Sequence, residues 1–322
     1  MSIRAISGSI FFVVLIDWNP NWLLTPILRL LPRLPSVPLL QSIRRQLIDQ
    51  PCIGSSVSAA PRDRSIREFM PKTDSAQPWK LLARFYEEWV NRKTPRMNSQ
   101  ARRRLLGKIL PGVRSACDLG CGTGRTALEL ARGGVRVFAV DLSPTMCRIT
   151  RERARRARLP IRVLCADVLE FRIPEPVDLV TCEFNVLNYL PCRSDLARVA
   201  RTVARALRPG GHFYFDVNTP RSLQALPGLR RWNERKHFLV AWRGSYSARR
   251  RRGAIEVRWF VRDAKLWRRS DERVSLVCWT PAEIRSALRR AGFVRIRACA
   301  AARVRPANTP LLDTYYVAQK SS

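Results

Sequence analysis

The chain has 322 residues, 46% of them hydrophobic and 26% charged, which is enough to bury one large core and too apolar for a disordered chain. Its formal net charge of +34 rests on seven lysines and 52 arginines, and the arginines recur where a helix would face water (Arg151, Arg153, Arg155, Arg156, Arg158, then Arg289 and Arg290), so a solvated basic face is expected ahead of a nucleic-acid surface. Nine cysteines without a CxxC pair, together with only two histidines, His212 and His237, give no support to a disulfide framework or a zinc site and make the cytoplasm the expected compartment.

In chain order, Ile10 to Ile16 is an apolar run that Asp17 stops far short of the ~20 residues of a membrane span. No small-residue cleavage site follows it, and prolines at 26, 32, 35 and 38 interrupt any helix carrying Leu23, Leu24, Leu28 and Leu31. Residues 50–74 are rich in Ser, Pro and Arg and read as linker. Residues 1–69 are therefore expected to be a disordered leader or a mis-assigned start, with the folded protein beginning near Met70. Trp79 to Trp89 then reads as an opening helix that carries Tyr86.

A first strand through Val113 to Leu119 runs into Cys117-Asp118-Leu119-Gly120-Cys121-Gly122-Thr123-Gly124. Glycines at this spacing let the chain turn sharply out of a strand and let a ligand approach the backbone more closely than a Cβ would allow. The next apolar run (Val135, Val137, Ala139, Val140) ends in Asp141, 17 residues past Gly124, where a carboxylate can accept both ribose hydroxyls of a nucleoside. Ile161 begins a third strand that closes at Ala166-Asp167-Val168. A fourth, Val177 to Cys182, leads into the loop Glu183 to Leu190. Leu207-Arg208-Pro209-Gly210-Gly211 reads as a turn before a fifth strand, His212 to Val217.

Beyond that point the alternation of strand and helix breaks. Residues 238–242, 255–261 and 274–279 read as antiparallel strands with a hairpin tip at Arg249 to Gly253, because Ile255, Val257, Trp259 and Val261 alternate with charged residues. Thr280 and Glu283 have the spacing of a capping box for a last helix through Ile284 and Leu288 to Gly292. Phe293 to Ala298 and Thr314 to Ala318 supply two final strands. Cys165, Cys182 and Cys299 fall in apolar strand-like runs, where a reduced thiol acts as a small hydrophobe.

Taken together, Asp118-x-Gly120-x-Gly122-x-Gly124, the acidic end of the second strand, Asp167, the Val177 to Leu190 segment and the Leu207 to Gly211 turn resemble the class I S-adenosylmethionine-dependent methyltransferases. The resemblance implies an α/β, Rossmann-like fold: a doubly wound, mostly parallel seven-stranded sheet with a small antiparallel β insertion after the fifth strand, as in small-molecule members. It divides the chain into N-terminal helices and cofactor core at 70–220, an insertion or lid at 221–279, and the last helix and strands at 280–322. It implies S-adenosyl-L-methionine as cofactor, contacted by Tyr86, Asp118, Gly120, Cys121, Gly122, Gly124, Asp141, Leu142, Met146, Asp167, Val168 and Cys182, with Asp167 or its neighbouring amide reading the adenine amino group.

Methyl transfer from a sulfonium depends mainly on alignment. Glu183 is the nearest candidate base, and Asn185, Asn188 and Tyr189 are candidates to orient an acceptor; capping and packing explain Asn188 and Tyr189 equally well, and an ordinary amphipathic-helix aromatic explains Tyr86 equally well. The acceptor is expected to be a small molecule with an anionic handle, held under aromatics interleaved with arginines (Trp232, Tyr246, Trp259, Trp267, Trp279), unless these rings only pack the small sheet. The strand before the last helix lacks the histidine common in related insertion-bearing proteins. Three other readings stand beside this one: an RNA methyltransferase, although Phe184-Asn185-Val186-Leu187 lacks the Asp/Asn-Pro-Pro-aromatic tetrad of base-amino enzymes, a catalytically silent cofactor-binding paralogue, and a nicotinamide oxidoreductase.

Overall fold

The computed structural model describes Ala83, Phe85, Tyr86 and residues 93–263, 266–304 and 313–322. The expected leader, 1–69, and most of the expected opening helix lie outside the described residues; Ala83, Phe85 and Tyr86 are helical. From Lys93 onward helices and strands alternate except between β3 and β4: α1 (Lys93–Leu106), β1 (Ser115–Leu119), α2 (Arg125–Arg132), β2 (Arg136–Asp141), α3 (Pro144–Arg156), β3 (Ile161–Cys165), β4 (Val177–Cys182), α4 (Asp195–Ala206), β5 (Leu207–Asn218) and the short α5 (Pro220–Gln224). They build a seven-stranded sheet in the order β10-β11-β5-β4-β1-β2-β3, where β10 is Phe293–Ala300 and β11 is Asp313–Lys320. All pairs are parallel except those made by β11.

Period-two alternation along each strand divides the core in two. Leu119, Val140, Val180, Phe213, Phe215 and Tyr316 face one side with the apolar stripe of α4 (Leu196, Val199, Ala200, Val203) and with α6 (Pro281–Arg290). Ala116, Val137, Leu179, Tyr214 and Tyr315 face the other, under Ala101 and Leu106 of α1 and Ala127 and Leu130 of α2. All five residues of β1 are buried, as a central parallel strand covered on both faces requires. Strand order reverses at β1, between β2 and β4, so the crevice for a ligand opens at the carboxyl end of β1. α6 begins with the expected capping box, in which Thr280 accepts from the Glu283 amide and the Glu283 side chain reaches back to Thr280 N at 2.8 Å.

Three details differ from the sequence reading. β5 starts at Leu207, because Leu207 pairs with Val177 and draws the expected turn into the strand past a register shift. The insertion has four strands rather than three, β6 (Arg230–Glu234), β7 (Phe238–Ser247), β8 (Arg252–Asp263) and β9 (Leu266–Val277), paired antiparallel in that order; β6 and the arginine-rich halves of the others carry too few apolar residues to show a period. Cys182 is buried as expected, but Cys165 is exposed at the end of the edge strand β3.

The insertion is packed rather than free-standing. Trp259, fully buried, stacks 5.8 Å from Phe85 and lies beside Phe238. Trp279 is buried in the main core with its indole N–H donated to Leu187 O at 2.8 Å. Packing thus accounts for these two rings. Trp232, by contrast, is 66% exposed.

Candidate functional site

The glycine loop is held open from beneath. Asp118, at 2% exposure, accepts from Thr181 Oγ1 at 2.8 Å and from the Ala127 amide at 3.1 Å, tying β1 to β4 and to the first turn of α2. Gly120, Gly122 and Gly124 all have positive φ, but a Cβ would meet different things at each. At Gly120 it would strike Val186 and at Gly124 it would strike Thr150, so these two glycines serve the packing of the loop. At Gly122 it would meet nothing within 4 Å. Open space over a left-handed backbone is what close approach of a ligand needs.

Asp141 closes β2 beside that space. Its Oδ2 accepts the Gly122 amide at 2.8 Å and its Oδ1 accepts the Ser143 amide at 2.9 Å, and burial pushes its carboxyl above the usual range. Ser143 then caps α3 by accepting from Met146 N, with Pro144 at the first helical position. Leu142 is 64% exposed immediately beyond Asp141, an unusual place for a large aliphatic, while Met146 is buried. Asp167 turns the chain after β3 by accepting from the Leu169 amide at 2.9 Å, and Val168 packs partly into the main core.

Tyr86, Asp118, Gly120, Cys121, Gly122, Thr123, Arg125, Thr126, Glu183 and Phe184 line one cleft over the loop. Of the expected cofactor contacts, the cleft brings together Tyr86, Asp118, Gly120, Cys121 and Gly122. Cys182 is fully buried at the end of β4 and faces the core. Within the cleft Glu183, 3% exposed, accepts at its Oε2 from Thr126 Oγ1 at 2.5 Å and from the guanidinium of Arg102 in α1; its Oε1 has no hydrogen-bond partner among the described residues. Arg102 also pairs with Glu129 of α2 at 2.5 Å. Burial and the neighbouring Glu183 raise the Asp118 carboxyl to about 7.

Two expected acceptor-site residues are committed elsewhere. Asn188, with no exposed surface, donates to Val277 O at 2.8 Å and accepts from the Asn218 amide at 2.9 Å, so it joins the turn after β4 to β9 and to the end of β5. Tyr189 packs beside Leu223, Val274, Leu276 and Cys278, and burial raises its phenol further above neutrality. Asn185 and Phe184 both take left-handed φ values, 60° and 65°, without being glycine. Backbone strain of this kind costs roughly 1 to 3 kcal/mol per residue and persists where the surroundings fix it; here the Asn185 amide is held by Asp216 Oδ1 at 3.1 Å. Sequence reasoning passed over Arg102 and Thr126. Arg102 is one of three consecutive arginines, and no local signal marks it as the buried one.

Among the described residues no helix is long and apolar enough to cross a membrane, and no cluster of three potential metal ligands occurs.

Comparison with known proteins bears on this same region. Residues 116–211 match a family model described as a methyltransferase domain. A carboxy-S-adenosyl-L-methionine synthase of Campylobacter jejuni is 34% identical over 114 residues, 34% of this chain and 46% of that protein. A dTDP-4-amino-2,3,4,6-tetradeoxy-D-glucose N,N-dimethyltransferase of Saccharopolyspora spinosa is 34% identical over 102 residues, 32% of this chain and 39% of that protein. The chain thus spans less than half the length of these curated relatives. Among solved structures, an S-adenosylmethionine-dependent methyltransferase from Clostridium acetobutylicum superposes with a TM-score of 0.61 at 20% identity, covering 75% of this chain and 97% of that one. A sugar N-methyltransferase from Streptoalloteichus sp. gives 0.60 at 20% identity, covering 85% and 100%. At these identities the likeness is one of fold: the Rossmann-like class I methyltransferase fold.

Proposed function

We infer that this chain, whose residues 116–211 match the methyltransferase-domain model, binds S-adenosyl-L-methionine over its glycine loop and moves the methyl group to a small-molecule amine. The observation that carries the reading is the open space at Gly122 beside the Asp141 carboxylate. The donor set fits the group. Each Asp141 oxygen accepts one backbone N–H and keeps a lone pair for a ribose hydroxyl. Exposed Leu142 would offer an apolar surface to the adenine. The buried, unpartnered Glu183 Oε1 offers an acceptor for an ammonium in the same cleft; leaving it unmet would cost about 1 to 3 kcal/mol.

When bound, S-adenosylmethionine supplies a methyl already activated on sulfur, so the protein's work is alignment and exclusion of water. Arg102 and Thr126 hold Glu183 in place through its Oε2, which leaves Oε1 to receive an N–H. Tyr189 is held as a neutral phenol. A neutral amine needs no strong base and a hydroxyl does, which favours N-methylation. The Saccharopolyspora relative, named for dimethylation of an amino sugar carried on dTDP, supports the same class of acceptor. The likeness to the Campylobacter synthase extends over only 34% of this chain and does not bear on the acceptor.

Titration calorimetry tests the cofactor reading: S-adenosylhomocysteine should bind and NAD should not. A methyl-labelled donor incubated with amino sugars and their hydroxyl counterparts tests the acceptor reading, and label transferred only to hydroxyl compounds would refute it.

A further inference from the structure

A second cavity, about 820 Å³, opens between α1 and α2 and carries an excess of positive charge. Arginines from three helices line it: Arg96, Arg102 and Arg103 of α1, Arg125 and Arg132 of α2, and Arg153 of α3; Glu129 is the one carboxylate among its described lining residues. That carboxylate is already spent on Arg102 and Arg103. Arg153 donates to Thr123 O at 2.9 Å. Arg96 and Arg132 are exposed into the cavity and make no hydrogen bond or ion pair with a described residue.

Guanidinium groups converging from separate helices repel one another unless an anion joins them. Their planar forks match phosphate oxygens two at a time. A single carboxylate would satisfy one fork, whereas arginines spread over three helices suit a ligand with several negative oxygens. The cavity volume lies in the range of sites for nucleotide-sized molecules. Arg125, Thr126 and Phe184 line both this cavity and the cleft over the glycine loop, so the two spaces meet there.

We propose that the cavity between α1 and α2 is an anion subsite that holds the phosphate or diphosphate of the acceptor while its amine reaches the glycine-loop cleft. The word acceptor rests on the methyltransferase reading; the anion subsite does not. This places the acceptor's charged handle under α1 and not under the antiparallel insertion.

The test is calorimetric titration of the full chain with inorganic pyrophosphate, alone and saturated with S-adenosylhomocysteine, repeated on the double variant Arg96→Gln/Arg132→Gln. Both side chains are exposed and without partners among the described residues, so the variant should keep its fold, which its melting temperature verifies. Pyrophosphate should bind the wild type in both conditions and bind the variant roughly tenfold more weakly, with S-adenosylhomocysteine affinity changed by no more than about twofold. Pyrophosphate bound no better than sulfate, or equally by both proteins, overturns the subsite. Pyrophosphate displaced by S-adenosylhomocysteine would mean that the cavity receives the donor's own carboxylate, which overturns the assignment to the acceptor. Pyrophosphate binding without any binding of S-adenosylhomocysteine would leave the subsite standing and overturn the methyltransferase reading.

Discussion

The Gly122 amide donates to Asp141 Oδ2 at 2.8 Å, so the acidic end of β2 and the glycine loop after β1 form one unit. The Ser143 amide occupies the other oxygen at 2.9 Å and starts α3 from the same carboxylate. Asp141 is therefore a positioning residue for loop and helix, and in the proposed reading also a direct ligand of the ribose.

Asp141→Ala removes both duties. Each charged hydrogen bond is worth about 1.5 to 3 kcal/mol, so S-adenosylhomocysteine affinity should fall by roughly 100-fold or more in a calorimetric titration. Asp141→Asn should lose nearly as much, since its amide NH2 must face one of the two backbone donors. Unchanged affinity in both variants would remove the ribose from this position.

The three loop glycines should separate by experiment. Gly122→Ala places its Cβ in open space, so stability should drop by only about 1 kcal/mol, the cost of a left-handed alanine, while binding of S-adenosylhomocysteine is largely lost. Gly120→Ala and Gly124→Ala bring a Cβ within 2.5 Å and 2.6 Å of Val186 and Thr150. Those two should lose several degrees of melting temperature before ligand is added. If Gly122→Ala binds normally, the space above it is not the cofactor's.

How far the sequence foretold these arrangements depended on distance along the chain. The glycine loop, Asp141 and the Thr280–Glu283 cap were legible because each is a local pattern whose meaning is set within a few residues. The strands of the main sheet were legible from runs such as Val137 to Val140. Asn188 was not, because only the fold brings Val277 and Asn218 to its amide. Trp279 reads as a lid aromatic in the sequence, but just past the end of β9 it enters the main core. Arg102 was hidden among identical neighbours, and its partners Thr126, Glu129 and Glu183 are 24 to 81 residues away.

That buried arginine supplies the next expectation. Removing one member of a buried ion pair strands the other, at a cost of about 3 to 5 kcal/mol. Arg102→Met should therefore destabilise the protein strongly in urea unfolding and loosen α1 from α2. Glu183→Gln should cost less, because a neutral amide still accepts from Arg102 and Thr126. The double variant should be more stable than the sum of the two predicts, with a coupling of roughly 0.5 to 3 kcal/mol. Strict additivity would mean that the contact contributes nothing.

Asp118 makes stability depend on pH in a definite direction. Burial, with Glu183 nearby, raises its folded-state pKa to about 7 from the ordinary 3.8. The native protein thus holds a proton that the unfolded chain releases between these values, and this group's contribution falls as pH rises from about 4 to 7. Above pH 7 the full cost is present; below 4 it vanishes. Asp118→Asn mimics the protonated acid and escapes that cost, although it is a poorer partner for both Ala127 N and Thr181 Oγ1. Asp141 is shifted upward as well, and Glu129 and Asp178 downward, so the informative quantity is the difference between variant and wild type. Relative to wild type, Asp118→Asn should gain stability from pH 5 to pH 8, by up to a few kcal/mol, as read from urea midpoints at constant ionic strength. A difference that stays flat across that range would show that Asp118 is ionised throughout and that Thr181 and the Ala127 amide compensate its burial.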